Sequence, residues 1–380
     1  MGATAVTATL VGNVRTRRWR AFDLQLFLYL VLLIAFGVVI GYSASYSDAA
    51  QGEGLSQTVK TLIWTAIGLT IFFVAASVDY HWLQTLIAPI YLVVLGLLTL
   101  TLFIGTSLFG AQLSITVAGL DFQFSEVSKV LMVVVLATYL AGRRDRIGKL
   151  STIIVAAVLM ALPTVLVLLQ PDLGTALVFV GILVGMLFLS GASIGWMALL
   201  AGAAVAAAPL LVQSLADYQR QRLFCFLDPS ADPQGACYQL IQALNAVGSG
   251  GLFGQGLTAG RQNQLGFLPV QSTDFIFTVV AEELGFVGGA VLLALFGLLI
   301  WRILAIGWGA RDSLGAMVGV GLASMLLFQI MVNVGMVLGI MPVIGIPLPF
   351  ITYGGSSMIS LLFGMGILQS VRMHSRKPTF

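Results

Sequence analysis

Residues 267–286 read FLPVQSTDFIFTVVAEELGF, and the fold turns on how this stretch is read. It begins as a loop around Pro269, Gln271 and Ser272 and becomes an apolar run. After Glu283 no charged residue appears before Arg302. A helix crossing the hydrocarbon of a bilayer needs about 20 mostly apolar residues, and this run is longer than that. One acid, Asp274, stands where loop becomes helix. A carboxylate in so apolar a setting is a functional candidate by default.

The rest of the chain repeats the apolar pattern. Of its 380 residues 59% are hydrophobic and only 9% charged, and its mean hydropathy is +1.02. Soluble domains carry roughly 25% charged residues, so this surface faces lipid. In lipid the backbone is satisfied only in helices or closed barrels. The runs are continuous rather than alternating, which predicts an all-α polytopic membrane protein. Ten spans are expected, near 24–44, 58–78, 85–105, 125–141, 151–169, 174–190, 193–213, 274–301, 314–340 and 353–371. The segment 106–124 is polar enough to be a loop. The eighth apolar stretch is too long for one straight crossing, so its first turns are expected to lie in a cavity.

The chain reads as one transmembrane domain over 1–380. It has an N-terminal segment 1–22, a large loop 214–273 between the seventh and eighth spans, and a tail 372–380. The N-terminal basic cluster precedes a full-length span without a small-residue cleavage site, so it is not a signal peptide. With ten spans both termini share a side. That side holds Arg15, Arg17, Arg18 and Arg20, then Arg143, Arg144, Arg146 and Lys149, then Arg302 and Arg311, then Arg372, Arg376 and Lys377. The other holds Lys60, Arg220, Arg222 and Arg261. The positive-inside rule makes the termini cytoplasmic and the large loop extracytoplasmic. The net charge of +3 reflects mostly this bias and implies no nucleic-acid partner.

Both cysteines, Cys225 and Cys237, lie in the outer loop. They form either a disulfide on an oxidising side or two unpaired thiols. His81 and His374, the chain's only histidines, fall at cytoplasmic positions, so a metal site built on His or Cys is not expected. No Walker A loop and no clear internal repeat is present. Gly181 and Gly185 have the spacing of close helix packing.

Few charges enter the spans. Glu126 and Lys129 are three apart at the start of the fourth span and share a helix face. They are either an anchoring ion pair or a charged patch at the mouth of a cavity. Asp172, in QPDLGT at 170–175, either caps the next helix or meets a substrate. Ser272 or Thr273 could cap the eighth span, so capping does not require Asp274. Glu282 and Glu283 follow it, with Arg222 and Arg261 upstream. Together they make either a polar pocket or a buried ion-pair network that positions the loop.

Four stretches, in order, carry a resemblance. They are FQFSEVSK at 122–129, QPDLGT at 170–175, the loop RLFCFLDP through TDFIFTVVAEELGF at 222–286, and GIPLPFITYGGSS at 345–357. The chain resembles the SEDS family (shape, elongation, division and sporulation), which includes RodA and FtsW. The resemblance implies a glycosyltransferase that polymerises lipid II into peptidoglycan strands on the outer face of the cytoplasmic membrane. It implies a class B penicillin-binding protein and other elongation-complex membrane proteins as partners. The family's essential aspartate falls on Asp274, and its other motif charges on Glu126, Lys129 and Asp172. Arg222, Arg261, Thr273, Ser356 and Ser357 are further candidate substrate contacts. The sequence departs from the family pattern at Val270, Gln271 and Ser272, at Phe124, and at Leu113 and Ser114, where a family Arg is missing. Lys129, Arg222 or Arg261 could replace part of that cation. The short N-terminal segment and the absence of a long tail suggest RodA rather than FtsW.

The implied reaction inverts an α-linked lipid pyrophosphate into a β-glycosidic bond. Inversion in one step needs a carboxylate to take the attacking hydroxyl's proton. The leaving pyrophosphate needs positive charge, from Lys, Arg or a divalent cation such as Mg or Mn. Asp274 suits the base. Two other classes stay open: a lipid II flippase, which would show inverted repeats and polar groups near the midplane, and a non-catalytic scaffold.

Overall fold

A computed structural model describes residues 19–46, 54–108, 111–117, 120–235, 237–265 and 273–375. Long helices stand at all ten expected positions. They are α1 (Leu24–Ala44), α2 (Gly54–Ser77), α3 (Ile87–Ile104), α4 (Phe124–Ala141), α5 (Leu150–Leu169), α6 (Leu173–Leu189) and α7 (Ile194–Ser214). The large loop adds α8 (Asp217–Leu227) and α9 (Tyr238–Gly250), and α10 (Ile276–Trp308), α11 (Ser313–Val337) and α12 (Gly355–Ser375) complete the chain. By length and composition α1 to α5, α10 and α11 can each cross a membrane. The apolar runs of α6 and α7 are shorter, and α12 is the more polar and almost wholly buried.

The core runs along α4, α11 and α12. Val133, Leu322, Leu326, Leu362 and Met365 are all at most 1% exposed. Small residues set the spacing, as the GxxxG pattern led us to expect. A β carbon on Gly181 would stand 2.4 Å from the Phe328 ring, and one on Gly185 would stand 2.5 Å from Ser324 Oγ. Large apolar side chains such as Leu92, Phe103, Val158 and Phe188 point outward, where lipid would lie.

The segment expected as a loop at 106–124 is instead a small sheet. Strands β1 (Thr106–Leu108), β2 (Ala111–Val117) and β3 (Leu120–Phe122) pair antiparallel in chain order, with Thr106 opposite Ser114 and Ile115 opposite Phe122. β1 and β3 are only three residues long, but β2 (AQLSITV) alternates apolar and polar residues strictly, a strand signal that the loop reading passed over.

The long eighth element is broken, in line with its length. Gly285 takes φ +65° and ψ −163° inside α10. The break frees carbonyls on one side and amides on the other, and the Gly-rich turn after α9 satisfies both. Gln255 and Gly256 N–H donate to the carbonyls of Glu282 and Glu283, at 3.0 Å each. Phe286 and Val287 N–H donate to Gly251 and Leu252, at 2.9 and 3.1 Å. A β carbon on Gly254 would lie 2.1 Å from the Glu283 carbonyl oxygen, so only glycine lets the backbones approach this closely. The half-helix 276–284 is thereby held inside the bundle, with Ile276, Val280 and Glu283 fully enclosed.

Candidate active site at the mouth of the broken helix

Asp274 lies in the turn before α10, ahead of the span. The N-cap residue is Phe275, whose side chain makes no capping bond. Ser272, together with Val270 and Gln271, lies outside the described residues. The turn is fixed through its backbone. Buried Asn333 of α11 donates to the carbonyls of Asp274 (2.9 Å) and Ile346 (2.7 Å). Thr352 Oγ donates to the Thr273 carbonyl at 3.2 Å and accepts from Leu348 N–H at 2.7 Å. Asp274 is thus clamped between α11 and the connecting segment 341–354, whose Ile346, Leu348 and Phe350 are buried.

That segment leaves room for the carboxylate by having no side chain at Gly345. The residue has φ +80°, and a β carbon there would stand 3.2 Å from Asp274 Oδ2 and 3.9 Å from Arg222 Nη1. Arg222 reaches the site from α8, with its guanidinium 5.8 Å from the Tyr218 ring centroid. Helix α8 is seated by two bonds to the Pro171 carbonyl, from Tyr218 Oη (3.1 Å) and Gln219 Nε2 (2.9 Å). Asp274 is half-buried. Protein surrounds the carboxylate on most sides, and part of the residue stays exposed. Burial pushes its pKa up to about 6; Arg222 opposes this and Asp172 adds to it.

Asp172 caps α6, its Oδ1 accepting from Thr175 N–H at 2.9 Å, so the capping reading holds. Its other oxygen receives Gln123 Nε2 at 3.4 Å. Burial raises its pKa, against the Thr175 bonds and the nearby Lys129, and Glu126 adds to the rise. Lys129 Nζ bonds Glu126 Oε1 at 2.6 Å, and both residues are under 5% exposed. The pair is therefore buried rather than interfacial. Gln123 N–H donates to Ser356 Oγ at 2.8 Å, which brings the start of α12 to the same wall. Ser357 is buried beside it.

The structure therefore gathers Asp274, Arg222, Asp172, Glu126, Lys129, Thr273 and Ser356. It does not bring Arg261, Glu282 or Glu283 to them. Arg261 is exposed on the short helix Arg261–Gln264. Glu282 accepts from Gln262 N–H (2.8 Å) and Asn263 N–H (3.2 Å). Glu283 accepts from Asn263 Nδ2 (2.9 Å), Thr258 N–H (3.2 Å) and Ser43 Oγ. These acids position the loop through backbone amides and neutral side chains, not through ion pairs. Cys225 and Cys237 are joined in a disulfide that ties α8 to the start of α9. Among the described residues no three His, Cys, Asp or Glu side chains converge as metal ligands.

Motif order, broken helix and clamped aspartate can now be set beside known proteins. The family model described as a cell cycle protein, covering FtsW, RodA and SpoVE, matches residues 23–377. The chain belongs to this family, the SEDS family. Stage V sporulation protein E of Bacillus subtilis is 38% identical over 93% of this chain and 98% of its own. Peptidoglycan glycosyltransferase MrdB of Escherichia coli is 39% identical over 91% of this chain and 93% of its own. A solved structure described as the coordination of polymerization and crosslinking by a peptidoglycan synthase complex is 32% identical. It covers 93% of this chain and 98% of its own, with TM-score 0.77.

Sequence reading missed Asn333, Gly345 and Gln123. An amide in the apolar stretch of α11 was a signal for Asn333, because polar groups in spans seek partners.

Proposed function

We propose that this SEDS protein polymerises lipid II into glycan strands at the outer face of the cytoplasmic membrane, with Asp274 as general base. Its enzyme class is that of its relatives named peptidoglycan glycosyltransferase, at 35–39% identity over most of the chain. The observation that carries the mechanism is the Asp274 carboxylate, clamped through its backbone and facing Arg222 across Gly345. A base whose pKa lies near the working pH accepts a proton readily and still starts ionised. The attacking sugar hydroxyl gives its proton to Asp274 as its oxygen bonds the anomeric carbon. The bond to pyrophosphate breaks on the opposite face, which inverts the centre. Arg222 and Lys129 supply positive charge to the leaving phosphates. No step is routed through Mg or Mn; a divalent cation carried on the pyrophosphate would need only one or two carboxylates from the protein.

The charged groups sit at one end of the bundle, in the first turn of α4, at the start of α6 and before α10. That supports chemistry at an interface, with the lipid tail left in the bilayer, over transport through the midplane. We assign the chain to cell elongation, with both termini cytoplasmic and a class B penicillin-binding protein as partner. The likeness to a peptidoglycan synthase complex supports the partner. Purified protein given lipid II, with and without that partner, should yield glycan strands. Lipid II moved between leaflets without polymer would return the flippase reading.

A further inference from the structure

One set of charges has no part in this site. Helix α4 begins beside Asp172 and runs for 18 residues, so its far end is roughly 27 Å away at 1.5 Å per residue. There Arg143, Arg144 and Arg146 join α4 to α5. The positive-inside rule asks only that such a loop be charged. This loop is also built. Arg143 N–H donates to the Leu140 carbonyl at 3.0 Å, Arg146 N–H to Arg143 at 2.8 Å, and Lys149 N–H to Arg146 at 3.0 Å. Thr152 Oγ1 donates to the Arg146 carbonyl at 2.8 Å, and Tyr139 Oη to the Thr152 carbonyl at 3.2 Å. Ile147 is buried at 4% exposure and pins the turn to the bundle. Arg143 lies over the Tyr139 ring at 4.2 Å.

Gly142, Arg143, Arg144, Asp145 and Arg146 line an open hollow of about 500 Å³, so one acid, Asp145, shares it with the three arginines. Among the described residues, none of the three guanidiniums is paired with a carboxylate. Planar guanidiniums match the geometry of a phosphate; the turn that carries them is fixed, and Arg143 is further held over the Tyr139 ring. The next turns of α5 expose Ile154, Val155 and Val158 to lipid, which puts the cavity at head-group depth on that leaflet. We propose that this pocket binds the phosphate of an anionic phospholipid head group, on the leaflet opposite the candidate active site.

The test uses the full chain in nanodiscs of phosphatidylcholine with a minority of phosphatidylglycerol, and native mass spectrometry of the retained lipid. Phosphatidylglycerol should be retained in preference. The variant Arg143→Lys, Arg144→Lys, Arg146→Lys keeps every charge, and so the membrane orientation, but removes the planar forks. Its retention should fall roughly tenfold, the weight of about 1.4 kcal/mol. Lys149→Gln, outside the pocket, should retain as the parent does. If the triple variant folds poorly, Arg143→Lys alone is read the same way. Retention by the Lys variants equal to the parent's, or no preference between the two lipids, would overturn the site. Inorganic phosphate that binds the parent while the lipids do not compete would overturn the lipid as its source.

Discussion

Asp274 and Gly345 face each other so closely that a β carbon on Gly345 would stand 3.2 Å from Asp274 Oδ2. The connecting segment 341–354 thus closes one side of the carboxylate with bare backbone. Gly345→Ala crowds that oxygen and forces a side chain into φ +80°. The backbone strain costs about 1–2 kcal/mol. We expect a modest drop in thermal midpoint and a much larger loss of lipid II polymerisation. Parent-level turnover in this variant would remove Gly345 from the site.

The raised pKa of Asp274, about 6, gives the reaction a pH dependence. Below that value the base is protonated, so turnover should fall tenfold per pH unit on the acid side and level off above it. Stability runs the other way. The folded pKa lies above the ordinary 3.8, so the carboxyl favours the fold while protonated in both states, at low pH. That contribution is lost as pH rises from about 4 through about 6. Asp274→Asn should therefore gain stability over the parent across this window, at most about 3 kcal/mol, and hold a constant margin above it. Thermal melts at pH 5 and pH 8 measure it; a margin that shrinks with rising pH would contradict it.

Lys129 and Glu126 form a buried pair, so loss of one partner should be costly. Lys129→Met is expected to destabilise by roughly 3–5 kcal/mol, because a carboxylate is left alone. The exchange Glu126→Lys, Lys129→Glu keeps the pair but turns a carboxylate toward the phosphates. We expect it to fold and to turn over on the order of a hundredfold more slowly, equivalent to about 3 kcal/mol. Activity within a few fold of the parent would leave the pair a purely structural role.

The disulfide closes a loop of 12 residues, which in the chain-entropy model is worth about 3 kcal/mol. It also holds α8, one turn from Arg222. Cys225→Ser, Cys237→Ser should lower the thermal midpoint and reduce kcat/KM, while the acid limb of the pH profile stays where it was. An acid limb that moved would mean that the bond acts on Asp274 itself.

How far the sequence alone carried the structure varies by element. The ten helices were legible because lipid demands long continuous apolar runs, and the excess length of the eighth led to the expectation that its first turns lie in a cavity; the break itself was not foreseen. Its place was not legible. Gly285 breaks α10 only because the turn at 250–256 supplies partners for both open ends, a contact between distant parts of the chain. Asp172 as a cap and Asp274 at the mouth were readable locally. Glu282 and Glu283 were misread as pocket or ion-pair acids, since their partners are amides of Thr258, Gln262 and Asn263 that no charge pattern reveals. Asn333 was marked only as a lone amide in an apolar span, with no sign of which carbonyls it holds, and Gly345 acts through an empty space that leaves no mark in composition.

The central claim is that Asp274 takes the proton from the attacking hydroxyl. Parent and Asp274→Ala, matched by thermal melt and with the Cys225–Cys237 bond intact, should be given lipid II and the class B partner. Loss of a general base costs about 10²–10⁴-fold in rate. The parent should make glycan strands and the variant essentially none. Strands of normal length and yield from a folded Asp274→Ala protein would contradict the account.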